Sequence, residues 1–261
     1  MPNDAMYGQN HHLKEDIRAY WSKRAETFDQ SSGHRIRDGA ETSAWQALFR
    51  AGLGDVAGKK VLDLACGTGE ISRMLLAMGA EVTGADFAEP MLARAKAKHA
   101  GLPFTARLSD VETLALESDA SYDGILTRHL VWTLTDPMAA FATWFRVLKP
   151  GGRLLIVDGD WVSAGPMTQA LRALAALLGS RKSGHGESMD LDEHSRILAQ
   201  VHYNKGLTVE QLTKDLTAIG FVQPRRHSVQ PVYLWGMRYE PWGDWLRLNA
   251  SRRFALSVEK P

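Results

Sequence analysis

The sequence predicts an α/β fold, a doubly wound and mostly parallel sheet with helices on both faces, preceded by a helical cap. Three features carry that prediction. From Val61 onward, short apolar runs alternate with segments in which apolar residues recur every three or four positions. The short runs are apolar throughout, as expected of strands covered on both sides. The first run also ends in a glycine-rich turn directly before a helical segment, the arrangement by which such sheets present backbone to a ligand.

Taken in order, Leu13, Ile17, Tyr20, Trp21, Ala25 and Phe28 mark a first helix, and Trp45, Leu48, Phe49 and Gly52 a second. Between them SSGHRIRDG, residues 31–39, reads as a break. Residues 1–54 are therefore expected to form a helical cap or lid, and 55–261 the main domain. In that domain VLDLA (61–65) and EVTGAD (81–86) are strands, followed by the helices GEISRMLLAMG (69–79) and EPMLARAKAKH (89–99). PFTARLSD (103–110) and YDGILTR (122–128) are strands separated by an acidic loop. A helix over 136–152 opens with Asp136 as N-cap and Pro137 at its first position, and stops at Pro150 and Gly151. GRLLIVDGD (152–160) is the next strand.

After Asp160 the rhythm loosens, and an insertion is expected over about 162–207. It comprises a helix at 167–179 and a polar, glycine-punctuated loop at 180–200. Thr208 and Gln211 form a capping-box pattern ahead of Leu212, Leu216 and Ile219, with Gly220 closing that helix. Residues 221–229 and 252–260 are the last two strands, the second antiparallel beside the first.

Composition narrows the function. Hydrophobic residues make up 44% and charged residues 23% of 261, an ordinary globular balance. Lysine and arginine number 31 against 30 acids, a formal charge of +1, which gives no global attraction to nucleic acid or anionic membrane. Cys66 is the only cysteine, so no intrachain disulfide or cysteine-rich metal site can be built. The first residues lack the apolar core of a secretory signal, and no run approaches the roughly 18 to 20 apolar residues that span a bilayer. A cytoplasmic, soluble protein is expected.

The chemistry concentrates on Asp63-Leu64-Ala65-Cys66-Gly67-Thr68-Gly69-Glu70. Gly67 and Gly69 allow close approach to backbone, and the following helix points free amides at the site. The GxGxxG spacing of dinucleotide domains is missing, since Ser72 holds its last place, and Asp63 at a strand end would oppose a diphosphate. Asp63 suits a ligand with positive charge. S-adenosylmethionine meets these demands, with an ammonium, a sulfonium and a carboxylate but no phosphate. Asp86 ends the second strand, where it can accept both ribose hydroxyls. Asp110 follows the third, where it can accept the adenine amino group, with the amide of Val111 or Glu112 facing the ring. Phe87 and Met91 can sandwich the adenine. Each acid alone also reads as a solvated strand end or helix cap, a reading that weakens when three stand at successive strand ends.

These residues resemble the class I S-adenosylmethionine-dependent methyltransferases, especially the ubiquinone and menaquinone methyltransferase-like small-molecule branch. The resemblance runs from about Tyr20 to Asp160, through VLDLACGTG, VTGADFAEPML, LSDVETL, YDGILTRHLVW and RVLKPGGRLLIVD. It implies a Rossmann-like sheet of seven strands with the last antiparallel. The cofactor is implied to lie against Asp63, Gly67, Gly69, Asp86 and Asp110, with the backbone around Thr127 and Arg128 facing its methionine end. In this branch a pair of histidines often follows the fourth strand; here Trp132 and Thr133 hold those places. YWSKRAETFD resembles the helix that lids the cofactor, which would set Tyr20 or Trp21 over the methionine moiety and His34 near the opening. Tyr20 and Trp21 can equally be packing of the cap.

Methyl transfer is an in-line displacement at carbon already activated by the sulfonium. Positioning supplies about 7 to 11 kcal/mol in well-oriented pairs, so a base, worth about 10²- to 10⁴-fold, is optional. His129, just past the fourth strand, is the candidate base or substrate contact, with packing or solvent-facing roles as alternatives. Trp132 and Trp161 either wall an acceptor pocket or pack the core. His185, Glu187, Asp190, Asp192, His194 and His202 match no compact metal signature, so no metal is expected. The acceptor is expected to be a small molecule and the product S-adenosylhomocysteine, with acceptor atom and oligomeric state open. The competing classes are a nucleic-acid methyltransferase, an oxidoreductase, and a cofactor-binding protein that is non-catalytic or a cyclase.

Overall fold

The computed structural model describes residues 4–30, 36, 37, 39–160, 162, 171, 173, 174, 191–237 and 252–261. Among them seven strands form one sheet: β1 (Lys60–Leu64), β2 (Glu81–Asp86), β3 (Phe104–Leu108), β4 (Tyr122–Arg128), β5 (Leu148–Asp160), β6 (Val222–His227) and β7 (Arg252–Glu259). Their order is β3-β2-β1-β4-β5-β7-β6. β1 to β5 run parallel, and β7 runs antiparallel to both of its neighbours. The strand order reverses between β1 and β4, which places the ligand crevice of a doubly wound sheet at their carboxyl ends.

The helices are α1 (Asp4–Arg24), α2 (Ala40–Leu53), α3 (Glu70–Ala77), α4 (Glu89–Lys98), α5 (Pro137–Val147), α6 (Leu191–Gln200), α7 (Val209–Ile219) and α8 (Gln230–Met237). Alternate strand residues serve opposite cores. Leu62, Ile125, Leu154, Ile156 and Leu256 face the layer of α5 and α7 through Phe141, Trp144 and Leu212. Val61, Leu126, Leu155, Val157 and Ala255 face Trp45, Phe49 and Leu53 of α2 and Met74 of α3. This explains why the runs read as continuously apolar: both faces are dry. α2 lies so close to the sheet that a Cβ at Gly52 would stand 2.7 Å from Leu155 Cδ1. Within the expected 1–54 cap, α2 thus packs into the sandwich, while α1 lies against α4 and α6.

Local signals hold where they are strongest. Asp136 caps α5 by accepting from the Ala139 amide at 3.0 Å. Thr208 caps α7 by accepting from the Gln211 amide at 3.1 Å, and Gly220 ends it in the left-handed region at φ +115°. The Gln211 side chain does not complete the box; its amide donates forward to Asp215 at 2.8 Å.

Two elements differ from the expectation, and a third, α8, lies where the sequence carried none. The α5 helix ends at Val147 and β5 begins at Leu148, because Leu148 already pairs with Tyr122 before the ladder shifts register. Residues 191–200, expected as loop, form α6, whose Ile197 packs with Val201 on Leu13, Ile17 and Tyr20 of α1. Ile197 gains its burial from α1 and Leu198 packs against the core beside the sheet, so the helical state of α6 is decided by tertiary contact. Residues 230–237 form α8, which buries Val232 and sets Tyr233 edge-on to Trp45 of α2 at 6.2 Å. The helix expected at 167–179 lies almost wholly outside the described residues. Among the described residues, no helix is long and apolar enough to cross a membrane.

Because Ile197 anchors α6 to α1 and not to the sheet, Ile197→Asp is expected to raise amide exchange in α1 and 196–201 about tenfold or more. Exchange in β1, β4 and β5 should stay as in wild type. Equal loss of protection in the sheet would show that α1 and α6 are not a separate layer.

Candidate active site

β1 delivers the chain into a tight turn. Ala65, Gly67 and Gly69 all adopt positive φ, at 52°, 54° and 81°. Ala65 does so with a Cβ, which is strained and needs fixing from outside. The Cys66 amide donates to Ala85 O at 3.1 Å, and the Gly69 amide closes the turn onto Cys66 O at 2.8 Å. Asp86, at the end of β2, spans two elements: Oδ2 accepts the Gly67 amide and Oδ1 the Ala88 amide, both at 2.8 Å. Asp63 sits beneath the turn, 1% exposed, with Oδ2 accepting the Ser72 hydroxyl of α3 at 2.6 Å.

Burial decides the charge of this pair. It pushes the Asp63 carboxyl up to about 7, with the neighbouring Asp86 adding to the rise and Ser72 and Arg128 opposing it. Burial likewise lifts Asp86 to about 6 against the pull of its amide donors. The thiol of Cys66, in the same turn, is raised by burial and by both carboxylates, so it is no nucleophile at neutral pH.

The N-terminal segment is fastened across the turn. The Thr68 hydroxyl donates to Asp29 Oδ1, and Lys98 of α4 bridges Asp29 and Glu70 at 3.1 and 3.4 Å. Farther along the crest, Lys14 of α1 lies 2.8 Å from both Asp110 and Glu112. Burial works against the Lys14 charge, but its hydrogen bonds to the two acids outweigh that and hold it above its ordinary value. The Glu112 amide, expected to face adenine, donates to Asp110 Oδ1 at 2.9 Å, and the Glu112 carboxylate accepts the Thr135 amide at 2.6 Å. The Val111 carbonyl accepts the Trp144 indole at 2.8 Å.

Between these fastenings Trp21 lies edge-on to Tyr20 and Phe28, at 5.2 and 5.9 Å, and packs with Phe87 and the buried Met91. Tyr20 is buried on α6 and its hydroxyl accepts from Arg24 at 2.7 Å. Trp21 and Phe87 thus lie together, while Tyr20 packs toward α6.

At the end of β4, Thr127 is buried and donates to Leu64 O at 3.2 Å. The Arg128 guanidinium lies over the Trp45 ring at 5.5 Å and faces Tyr233, Glu70, Asp63 and Glu41. His129 is the second non-glycine residue at this crest with positive φ, 59°. Its amide donates to Val157 O at 2.9 Å, its carbonyl accepts the Trp132 indole at 3.0 Å, and Nε2 lies 3.4 Å from the Tyr233 hydroxyl. Trp132 packs against the core, and its indole N–H is spent on the His129 carbonyl. Trp161 and His34 lie outside the described residues, as do His185, Glu187 and Asp190.

Sequence reasoning missed Asp158. It is wholly buried at the end of β5 and accepts the Val131 and Gly159 amides, each at 2.8 Å, which holds the turn after β4. The rule that flagged Asp63, Asp86 and Asp110, an acid at a strand end, would have found it. Lys14, Asp29 and Tyr233 carry no such local signal. Among the described residues, no three His, Cys, Asp or Glu side chains group as metal ligands.

The family comparison bears on this crest directly, since a family model described as a methyltransferase domain matches residues 62–156, from β1 into β5. The chain is 28% identical over 198 residues to the ubiquinone biosynthesis O-methyltransferase of Xanthomonas oryzae pv. oryzae, covering 75% of this chain and 73% of the relative. It is an S-adenosylmethionine-dependent methyltransferase. The methyltransferase is also 41% identical over 105 residues to the demethylmenaquinone methyltransferase of Thermus thermophilus, covering 39% of this chain and 48% of that one. Its fold matches Haemonchus contortus phosphoethanolamine N-methyltransferase 2, solved in complex with S-adenosyl-L-methionine, with a TM-score of 0.62 at 17% identity. That match covers 92% of this chain and 57% of the other, so the methyltransferase spans little more than half of that structure. It carries the expected sheet, seven strands with the last antiparallel.

Asp63 provides a pH test. Its folded value of about 7 lies above the ordinary 3.8, so folding takes up a proton. The stability this contributes is complete below about pH 4 and is lost as pH rises through 7. Asp63→Asn keeps an acceptor for Ser72 and removes the titration. Unliganded Asp63→Asn should gain stability relative to wild type between pH 5 and pH 8 in thermal melts. A difference independent of pH would show that Asp63 is ionised throughout.

Proposed function

We propose that this methyltransferase transfers a methyl group from S-adenosylmethionine to a small aromatic acceptor of the quinone type, by in-line displacement and without a metal, releasing S-adenosylhomocysteine. The observation that carries the reading is the Asp86 carboxylate held between the Gly67 and Ala88 amides at the end of β2. It makes the glycine turn and the ribose-accepting acid one rigid unit, with lone pairs left for hydroxyl donors. The donor set fits a nucleoside better than a dinucleotide, because buried acids stand where a diphosphate would need positive charge.

In this reading the backbone of Ala65, Gly67, Thr68 and Gly69 binds the cofactor, and Asp86 holds its ribose. Asp110 meets the adenine edge with lone pairs not used by Lys14, beside Val111 and Glu112. Phe87 and Met91 cover one ring face, Trp21 and Tyr20 close the lid, and Thr127 and Arg128 line the methionine end. Asp63, enclosed beneath the turn, stabilises the cationic end through its charge. When bound, S-adenosylmethionine supplies a methyl group on a positively charged sulfur. The chain's own task is to orient the acceptor, exclude water and, at His129, take up or hold the acceptor proton. A metal is unnecessary, because the sulfonium already makes the methyl carbon electrophilic. His34 and Trp161 remain assigned to the acceptor side from the sequence.

The quinone-type acceptor rests on the Xanthomonas and Thermus relatives, which are named as a ubiquinone biosynthesis O-methyltransferase and a demethylmenaquinone methyltransferase. A cytoplasmic enzyme acting on small molecules, and not on nucleic acid, accords with the formal charge of +1.

Two measurements test this. His129→Asn should lower turnover about tenfold or more while S-adenosylhomocysteine affinity stays nearly unchanged; wild-type turnover would remove His129 from the chemistry. Incubated with methyl-labelled cofactor and hydroxylated quinone precursors, the enzyme should release S-adenosylhomocysteine and a labelled aromatic product. Label in nucleic acid, or no product with any acceptor in a metabolite extract, would overturn the assignment.

A further inference from the structure

His99 takes no part in the roles assigned above, yet it touches the cofactor turn from beneath. It is 3% exposed, and Nε2 lies 2.9 Å from the Gly69 carbonyl oxygen. A carbonyl can only accept, so Nε2 carries the hydrogen and the tautomer is set. The same oxygen accepts the Arg73 amide at 2.9 Å, the first helical bond of α3. Gly69 has no room for a side chain: a Cβ there would lie 2.6 Å from His99 Nε2 and 3.1 Å from Ala95 Cβ. The other side of the imidazole meets Phe104 of β3, edge to face at 4.8 Å. Phe104 in turn occupies space that a Cβ at Gly84 of β2 would enter, at 2.8 Å. Two glycines, one in the turn and one in the sheet, therefore make room for a single His–Phe pair.

We infer that His99 is a positioning residue of the cofactor site, which holds Gly69 in its left-handed conformation and aims the α3 amides at the ligand. The inference rests on the reading that the cofactor lies against this turn. The turn is then held from both ends of the segment 86–99 that contains α4. Asp86 of β2, whose other oxygen accepts the Ala88 amide just before the helix, takes the Gly67 amide, and His99, at the helix end, donates to the Gly69 carbonyl. Burial holds the imidazole below its ordinary range, with Lys98 and Arg73 adding to this; the bond to the Gly69 carbonyl and the charge of Glu70 oppose it without outweighing it, so the neutral donor form is kept at physiological pH.

The test compares His99→Gln, whose side-chain amide reaches as Nε2 does and donates, with His99→Leu, which fills the space without a donor, and His99→Asn, whose donor is too short. Calorimetry with S-adenosylhomocysteine should give binding about tenfold weaker or worse for His99→Leu and His99→Asn, and within about threefold of wild type for His99→Gln. Turnover at saturating cofactor should change much less than affinity. Equal affinity in His99→Leu and wild type, or His99→Gln as weak as His99→Asn with both folded by circular dichroism, would overturn the role of His99. Failure of the wild-type protein itself to bind S-adenosylhomocysteine would instead overturn the cofactor reading.

Discussion

The Asp86 carboxylate is asked to do two things that are hard to combine: stay buried and stay hydrogen-bonded to backbone from two different elements. One oxygen holds the amide of Gly67 and the other the amide of Ala88, so the turn after β1 and the start of α4 cannot move independently. A buried carboxylate with amide donors strongly favours one geometry, because any displacement leaves a desolvated charge without its partners. The left-handed residues of the turn, Ala65 among them, are conformations the chain would not keep by itself. Asp86 from one side and His99 from the other supply the external restraint.

The same crest shows how charge is managed when several acids converge. Burial raises the proton affinity of both Asp63 and Asp86, and the charge of Asp86 raises that of Asp63 further. Asp110 and Glu112 face a different solution, one ammonium: Lys14 of α1 stands 2.8 Å from each. Removing that lysine would leave two carboxylates against each other with Glu112 buried. α1 is therefore bound electrostatically to the acids that follow β3. Its apolar contacts through Leu13, Ile17 and Tyr20 tie it to α6.

At the ends of β4 and β5 the pattern repeats with different residues. His129 adopts positive φ and is pinned at its amide by Val157, at its carbonyl by Trp132 and at its ring by Tyr233. Asp158 holds the following turn through Val131. Both central strands thus end in a non-glycine left-handed residue whose strain is carried by hydrogen bonds from neighbouring strands, and both lie at the switch in strand order where doubly wound sheets present their ligand crevice.

What was legible in the chain was whatever has a short-range cause. Continuous apolar runs announced strands dry on both faces, Thr208 and Asp136 announced helix starts through their own side chains, and glycines and acids at strand ends marked the crest. Those features need only a few neighbouring residues, so their physics is written locally. α6, α8 and the partners of the site residues were decided only by the tertiary structure. Lys14 meets Asp110 across 96 positions, Tyr233 meets His129 across 104, and His99 meets Gly69 across 30. No periodicity or spacing encodes such pairs, because they exist only once the sheet has brought its strand ends into one row and the helices have been packed over them.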